Sequence, residues 1–139
     1  MSKSLKPLIR FRKFELDQRR RELRALEDLA AEIDASIVAL DQEVANERRL
    51  AANDLLLARF WPTYAEWAKG RREELVQNRL QIGEQILKAE DAVTEAYREL
   101  KKFEVAEANR LAREKAEMER KAQIRLDEIA QVAHLRKDA

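Results

Sequence analysis

The amino-acid sequence predicts an all-α fold: a long antiparallel two-helix coiled-coil hairpin with an overhanging C-terminal helix. Three observations predict it. The 139-residue chain is dominated by Ala, Leu, Glu, Arg and Lys and has only two Gly and two Pro, so strong helix formers abound while tight turns are scarce. Two apolar stripes at heptad spacing occupy separate stretches, and each needs a partner to cover it. The second stretch runs on well past the point where the first has residues left to face it.

Helix 1 is expected over about 5–53. Ser4 supplies a first N-cap, and Pro7 is tolerated in the first turn, where backbone amides have no intrahelical acceptor. The first stripe is Leu23, Leu26, Ala30, Ile33, Ile37, Leu40 and Val44, with gaps of 3, 4, 3, 4, 3 and 4. Asn53 ends the helix in this reading, since its short amide tolerates a left-handed cap.

A bend is expected over about 54–62, inside the stretch NDLLLARFWPTYAEW. It crowds Leu55, Leu56, Leu57, Phe60, Trp61, Tyr64 and Trp67 together. Pro62 resists continuation of a helix, and Thr63 to Glu66 reads as a capping box that starts helix 2 at about 63. The crowding has two explanations. In one, the bend closes on itself, with Pro62 and Trp67 as a hydrophobic staple and the leucines capping the seam. In the other, Trp61 or Trp67 stays exposed in a patch that marks an interaction site.

Helix 2, about 63–135, carries the second stripe: Leu75, Arg79, Ile82, Ile86, Ala89, Val93, Ala96, Leu100 and Phe103. Folded antiparallel, facing residues have a constant total of their numbers. A total of 119 pairs Leu16 with Phe103, Ile33 with Ile86 and Val44 with Leu75, and sets Arg12 by Glu107 and Glu47 by Arg72. A total of 112, one heptad away, fits nearly as well. Past Phe103 the seam positions become Glu107, Arg110, Glu114, Glu117 and Lys121, while Val105, Leu111, Met118, Leu126 and Ile129 form a rotated stripe. An overhang of about 25 residues, roughly 37 Å, frays or finds another protein. The whole reads as a single helical-hairpin domain over 1–139.

Lys plus Arg is 28 and Asp plus Glu is 27, so a net charge of +1 gives no chain-wide attraction for nucleic acid or anionic lipid. Met1 to Arg24 is locally basic, with nine Lys and Arg against three acids. With Phe11 and Phe14 as stacking platforms it suits a nucleic acid. A protein partner with acidic groups suits it better, because the rest of the chain is balanced. No run is apolar enough to span a membrane and no cysteine is present, so a cytoplasmic location is expected. Two helices offer little concavity and no glycine-rich phosphate loop exists, so no enzyme activity, catalytic residue, metal or cofactor is expected. Carboxylate pairs such as Glu73–Glu74 and the run from Glu114 to Glu119 read as solvated faces, and His134 as structural.

The segments LKPLIRFRKFELDQRRREL, WPTYAEW followed by ELVQNRLQI, and LDEIAQVAHLRK together resemble the FliJ family, the small soluble component of the flagellar type III export apparatus. The resemblance implies a coiled-coil stalk without chemistry of its own. Its terminal end would insert in the hexameric export ATPase FliI, and another surface would contact the export gate protein FlhA; members also handle export chaperones. Such a protein is expected to be monomeric, with other chains as its partners, and peripheral to the inner membrane through them. The gate-contacting face matches Trp67, Arg71, Glu74 and Asn78, with Trp61 and Tyr64 sharing the local motif. For the ATPase end the matching location gives Ile9, Arg10, Lys13, Leu126, Ile129 and Arg136. The equivalent stalk of a virulence secretion system is an alternative, and so is a self-associating structural coiled coil that uses the heptads between chains.

Overall fold

Two α-helices make up nearly all of residues 3–138, which a computed structural model describes: α1, Lys6–Asn53, and α2, Leu55–Asp138. They pack antiparallel as an all-α hairpin with no strand among the described residues. Contacts group into two compact units, each built from both helices. A two-helix seam has no shared centre, because each turn touches only the turn that faces it.

The unit Leu16–Ala96 holds the apolar seam. No residue of the first stripe is exposed, and neither is any of the second up to Ala96. Its centre is buried Leu40, Ala68 and Leu75, packed round by Ile33, Ile37, Val44 and Tyr64. Asp41 and Arg72 are joined at 2.9 Å, as are Asp34 and Arg79, and both pairs have numbers that total 113. That selects the register near 112 over the one at 119. Arg72 accordingly meets Asp41 rather than Glu47.

The turn explains the register. Asp54 is the one residue between the helices, where a nine-residue bend is expected from sequence, so the fold-back is centred near residues 54–56. Asp54 caps α2 with its carboxylate, which accepts from the amides of Leu56 at 2.8 Å and Leu57 at 3.4 Å. The Thr63–Glu66 box is therefore not a helix start, and the Pro62–Trp67 staple has no helix end to brace. Pro62 lies inside α2, where the carbonyl of Ala58 lacks the amide it would otherwise receive from four residues on. Asn53 does not use a left-handed cap, since no non-glycine residue among those described has positive φ. Instead its side chain donates to the carbonyl of Arg49 at 3.2 Å.

The other unit combines the chain's first fifteen residues with Tyr97–Ala139. Leu100 is buried and Phe103 half-buried. Where the apolar seam lapses, Glu107 is buried, with its carboxylate accepting from the amide of Leu5 at 2.7 Å and from Arg110 at 2.6 Å. The first turn of α1 has no acid of its own, so Glu107 of α2 places the negative charge that its amino end favours. Ser4 adds a weaker contact, accepting from the amide of Lys6 at 3.2 Å. Arg12 does not reach Glu107; it pairs with Glu15 at 2.8 Å and lies over the Phe103 ring at 5.3 Å. Beyond Arg110 every described residue is exposed, as an overhang requires.

Candidate interaction surfaces

The unit that holds both ends of the chain offers the first surface. Arg10 and Lys13 are exposed on α1, whereas Ile9 is half-buried at the seam. Leu126, Ile129 and Arg136 are exposed on the overhang. The two groups are not one patch, because Leu126 lies roughly 28 Å beyond Glu107 along α2 at about 1.5 Å per residue. The overhang has its own face: Leu111, Met118, Ala122, Leu126, Ile129 and Val132 fall within about a third of the helix circumference at 100° per residue. Met118 is 72% exposed and Ile129 65%. Val105 lies off that face.

The overhang keeps its helix through local pairing. Arg110 joins Glu114 at 2.6 Å, Arg120 joins Glu117 at 2.6 Å, and Gln123 donates to Asp127 at 3.1 Å. At its end Arg136 and Lys137 suit the negative pole of the helix, and His134 sits 3.3 Å from Asp138. The hydrogen bonds from Arg110 hold Glu107 below the usual carboxylate range, helped by the Leu5 amide; those from Arg120 do the same for Glu117.

The second surface lies on α2 in the seam-bearing unit. Trp67, Arg71, Glu74 and Asn78 are all exposed, with Arg71 and Glu74 paired at 3.3 Å. Asn78 and Arg71 also edge a shallow groove against Leu29, Ile33 and Ser36 of α1. Trp61 and Tyr64 are placed differently: both are half-buried, and Tyr64 packs on the Leu40 cluster. The rings form a ladder, Trp61 to Tyr64 at 6.0 Å and Tyr64 to Trp67 at 5.8 Å. The Tyr64 hydroxyl is buried, and that burial together with the nearby Glu43 carboxylate raises its pKa.

Sequence places Leu56 and Phe60 in the crowded apolar stretch but does not join them to the Trp67 strip. Leu56 and Phe60 precede Trp67 by eleven and seven positions, which places all three on one face of a continuous helix. The spacing is visible in the sequence, but Pro62 and the apparent capping box hide it by breaking the helix there.

Among the described residues no cluster of His, Cys, Asp or Glu is placed to hold a metal ion, and no helix is long and apolar enough to cross a membrane. Comparison with protein-family models, curated proteins and solved structures finds no match to the chain.

Proposed function

We propose that this chain is a non-enzymatic coiled-coil stalk of the flagellar type III protein export apparatus. The end that carries both termini binds the hexameric export ATPase, and the α2 strip around Trp67 meets the export gate or export chaperones. The reading places the protein in the cytoplasm, held at the inner membrane by its partners. One observation carries it: the overhang from Leu111 to Asp138 is exposed throughout and carries an apolar face with no partner among the described residues. A helix without tertiary packing is marginal in water, so such a face is best explained by a partner that covers it. The basic first turns of α1, a separate patch with Arg10 and Lys13 exposed, suit acidic groups on a partner at that end. The strip around Trp67 gains apolar character from Leu56 and Phe60, which a contact face uses as anchors.

Co-purification with the flagellar export ATPase tests the reading. Added protein is expected to raise ATP hydrolysis and the fraction of hexamer, and deletion of residues 115–139 is expected to abolish both. An ATPase whose activity and assembly ignore the full chain would remove the proposal.

A further inference from the structure

The hairpin tip carries a feature that the proposed protein surfaces use only in part: Leu56 and Phe60 share a face with Trp67, whereas Leu55 and Leu57 belong to neither surface. Leu55 is 94% exposed, Leu56 65%, Leu57 40% and Phe60 62%. Leu55, Leu56 and Leu57 are consecutive in the first turn of α2, so their side chains leave the axis about 100° apart and surround the helix end. A helical or flat protein partner covers one side of a helix; it leaves at least one of these three leucines in water. A fluid apolar medium entered end-on covers them all.

The charge around them points to the same medium. From Arg48 to Trp61 the basic residues are Arg48, Arg49 and Arg59, and the only acid is Asp54. The Asp54 carboxylate is occupied by the amides of Leu56 and Leu57, at the helix end where negative charge is offset. All three arginines are exposed, and among the described residues none takes part in an ion pair; Arg49 instead donates to Asn46. Near +1 overall, the chain has no long-range pull on anionic surfaces, yet its tip is locally cationic. Trp61 adjoins the patch, and indole suits the boundary between headgroups and acyl chains.

We infer that the hairpin tip is a membrane-surface anchor, with Leu55, Leu56, Leu57 and Phe60 seated at the headgroup–acyl boundary of an anionic bilayer and Arg48, Arg49 and Arg59 among its phosphates. One helical turn is about 5.4 Å long, which matches the roughly 5–10 Å depth of interfacial insertion. The anchor requires neither the ATPase nor the gate, although Leu56 and Phe60 serve both it and the α2 strip around Trp67, so lipid and a protein partner on that strip compete for these two side chains.

Flotation of the full chain with phosphatidylcholine–phosphatidylglycerol vesicles tests it, with pure phosphatidylcholine as control. Along α2, Trp61 lies about 9 Å from Leu55 and Trp67 about 18 Å, so in a Trp67→Phe background quenching of Trp61 fluorescence by lipids brominated near the headgroup reports the depth of the tip. Binding to the mixed vesicles with quenching is expected. Leu55→Gln/Leu56→Gln/Phe60→Gln is expected to abolish both while circular dichroism stays helical, and Leu55→Gln alone to weaken binding several-fold. Arg48→Gln/Arg49→Gln/Arg59→Gln is expected to lower partitioning by about 100-fold, at about fivefold per basic residue near an anionic surface. The inference is overturned if the full chain fails to float, if pure phosphatidylcholine binds it equally, or if a protein captures the tip while vesicles do not. It is overturned too if Met118→Gln/Leu126→Gln/Ile129→Gln removes vesicle binding and the tip variants retain it, since the overhang would then be the lipid-binding element.

Discussion

Glu107 is the one buried charged side chain among the described residues, and it is held from both sides. Arg110 supplies charge from its own helix, and the Leu5 amide closes the start of the other. Its carboxyl lies below the usual carboxylate range because the ionised form accepts these bonds, chiefly those from Arg110. The sign follows: with the folded pKa depressed, the stabilising contribution is complete above the unfolded carboxyl value and disappears as pH falls through the folded one. Protection of the Leu5 and Ile9 amides, taken relative to their intrinsic exchange at each pH, should therefore hold at neutral pH and be lost only under acid conditions, below the ordinary carboxylate range. In Glu107→Ala the same amides should exchange fast at every pH, while the Leu40 cluster keeps its protection. Equal exchange in wild type and variant at neutral pH would show that the contact does not hold the N-terminus. Sequence exposes Glu107 only as a polar lapse in the seam. Its choice of Leu5 over Arg12 depends on register, which no local pattern fixes.

At the scale of the element, Pro62 and Asp54 decide where α2 begins. The structure puts an interior proline in a helix capped by Asp54, whereas composition and spacing suggest a helix that starts after the proline. The two arrangements respond oppositely to substitution. In an interior position proline costs about 3 kcal/mol through its missing bond and ring clash, against about 1 kcal/mol of unfolded-chain entropy that it removes. Pro62→Ala should thus stabilise the protein by about 2 kcal/mol in urea denaturation. Asp54→Ala should cost about 1 kcal/mol through the lost cap, and Thr63→Ala should cost nothing comparable. A helix starting near residue 63 would reverse the last two results. Both stripes were legible from Leu23 to Val44 and from Leu75 to Phe103, because gaps of three and four leave no other secondary structure able to collect them on one side. The continuation of the second seam through Trp61, Tyr64 and Ala68 was not. It shares the same spacing, but local proline and capping signals outvote it until tertiary packing is present.

Across the whole molecule, the turn sets the register and the register sets which side chains lack partners. A one-residue break brings Ile37 and Leu75 to one seam level, and both belong to the Leu40 cluster. The chain has no cysteine, so Ile37→Cys/Leu75→Cys should form an internal disulfide on mild oxidation, read as a mobility shift reversed by reductant. Val44→Cys/Leu75→Cys, matched only in the alternative register, should not: seven residues of helix displace the partners by about 10 Å, beyond the roughly 7 Å between Cα atoms that a disulfide spans. The candidate surfaces follow from the same offset. α1 begins at Lys6 with Leu5 beside Glu107, so the turns of α2 beyond Arg110 bury against none of the described residues, and their apolar face stays open. Stability and partner binding should consequently separate. Among the described residues, removing 112–139 deletes no buried side chain, so the urea midpoint of the hairpin should move by the equivalent of no more than about 0.5 kcal/mol, as for surface changes. Leu40→Ala, with the overhang intact, should cost about 2–4 kcal/mol. If truncation destabilised the hairpin as much as Leu40→Ala does, the overhang would be part of the folding unit, and its exposed face would not be free for a partner.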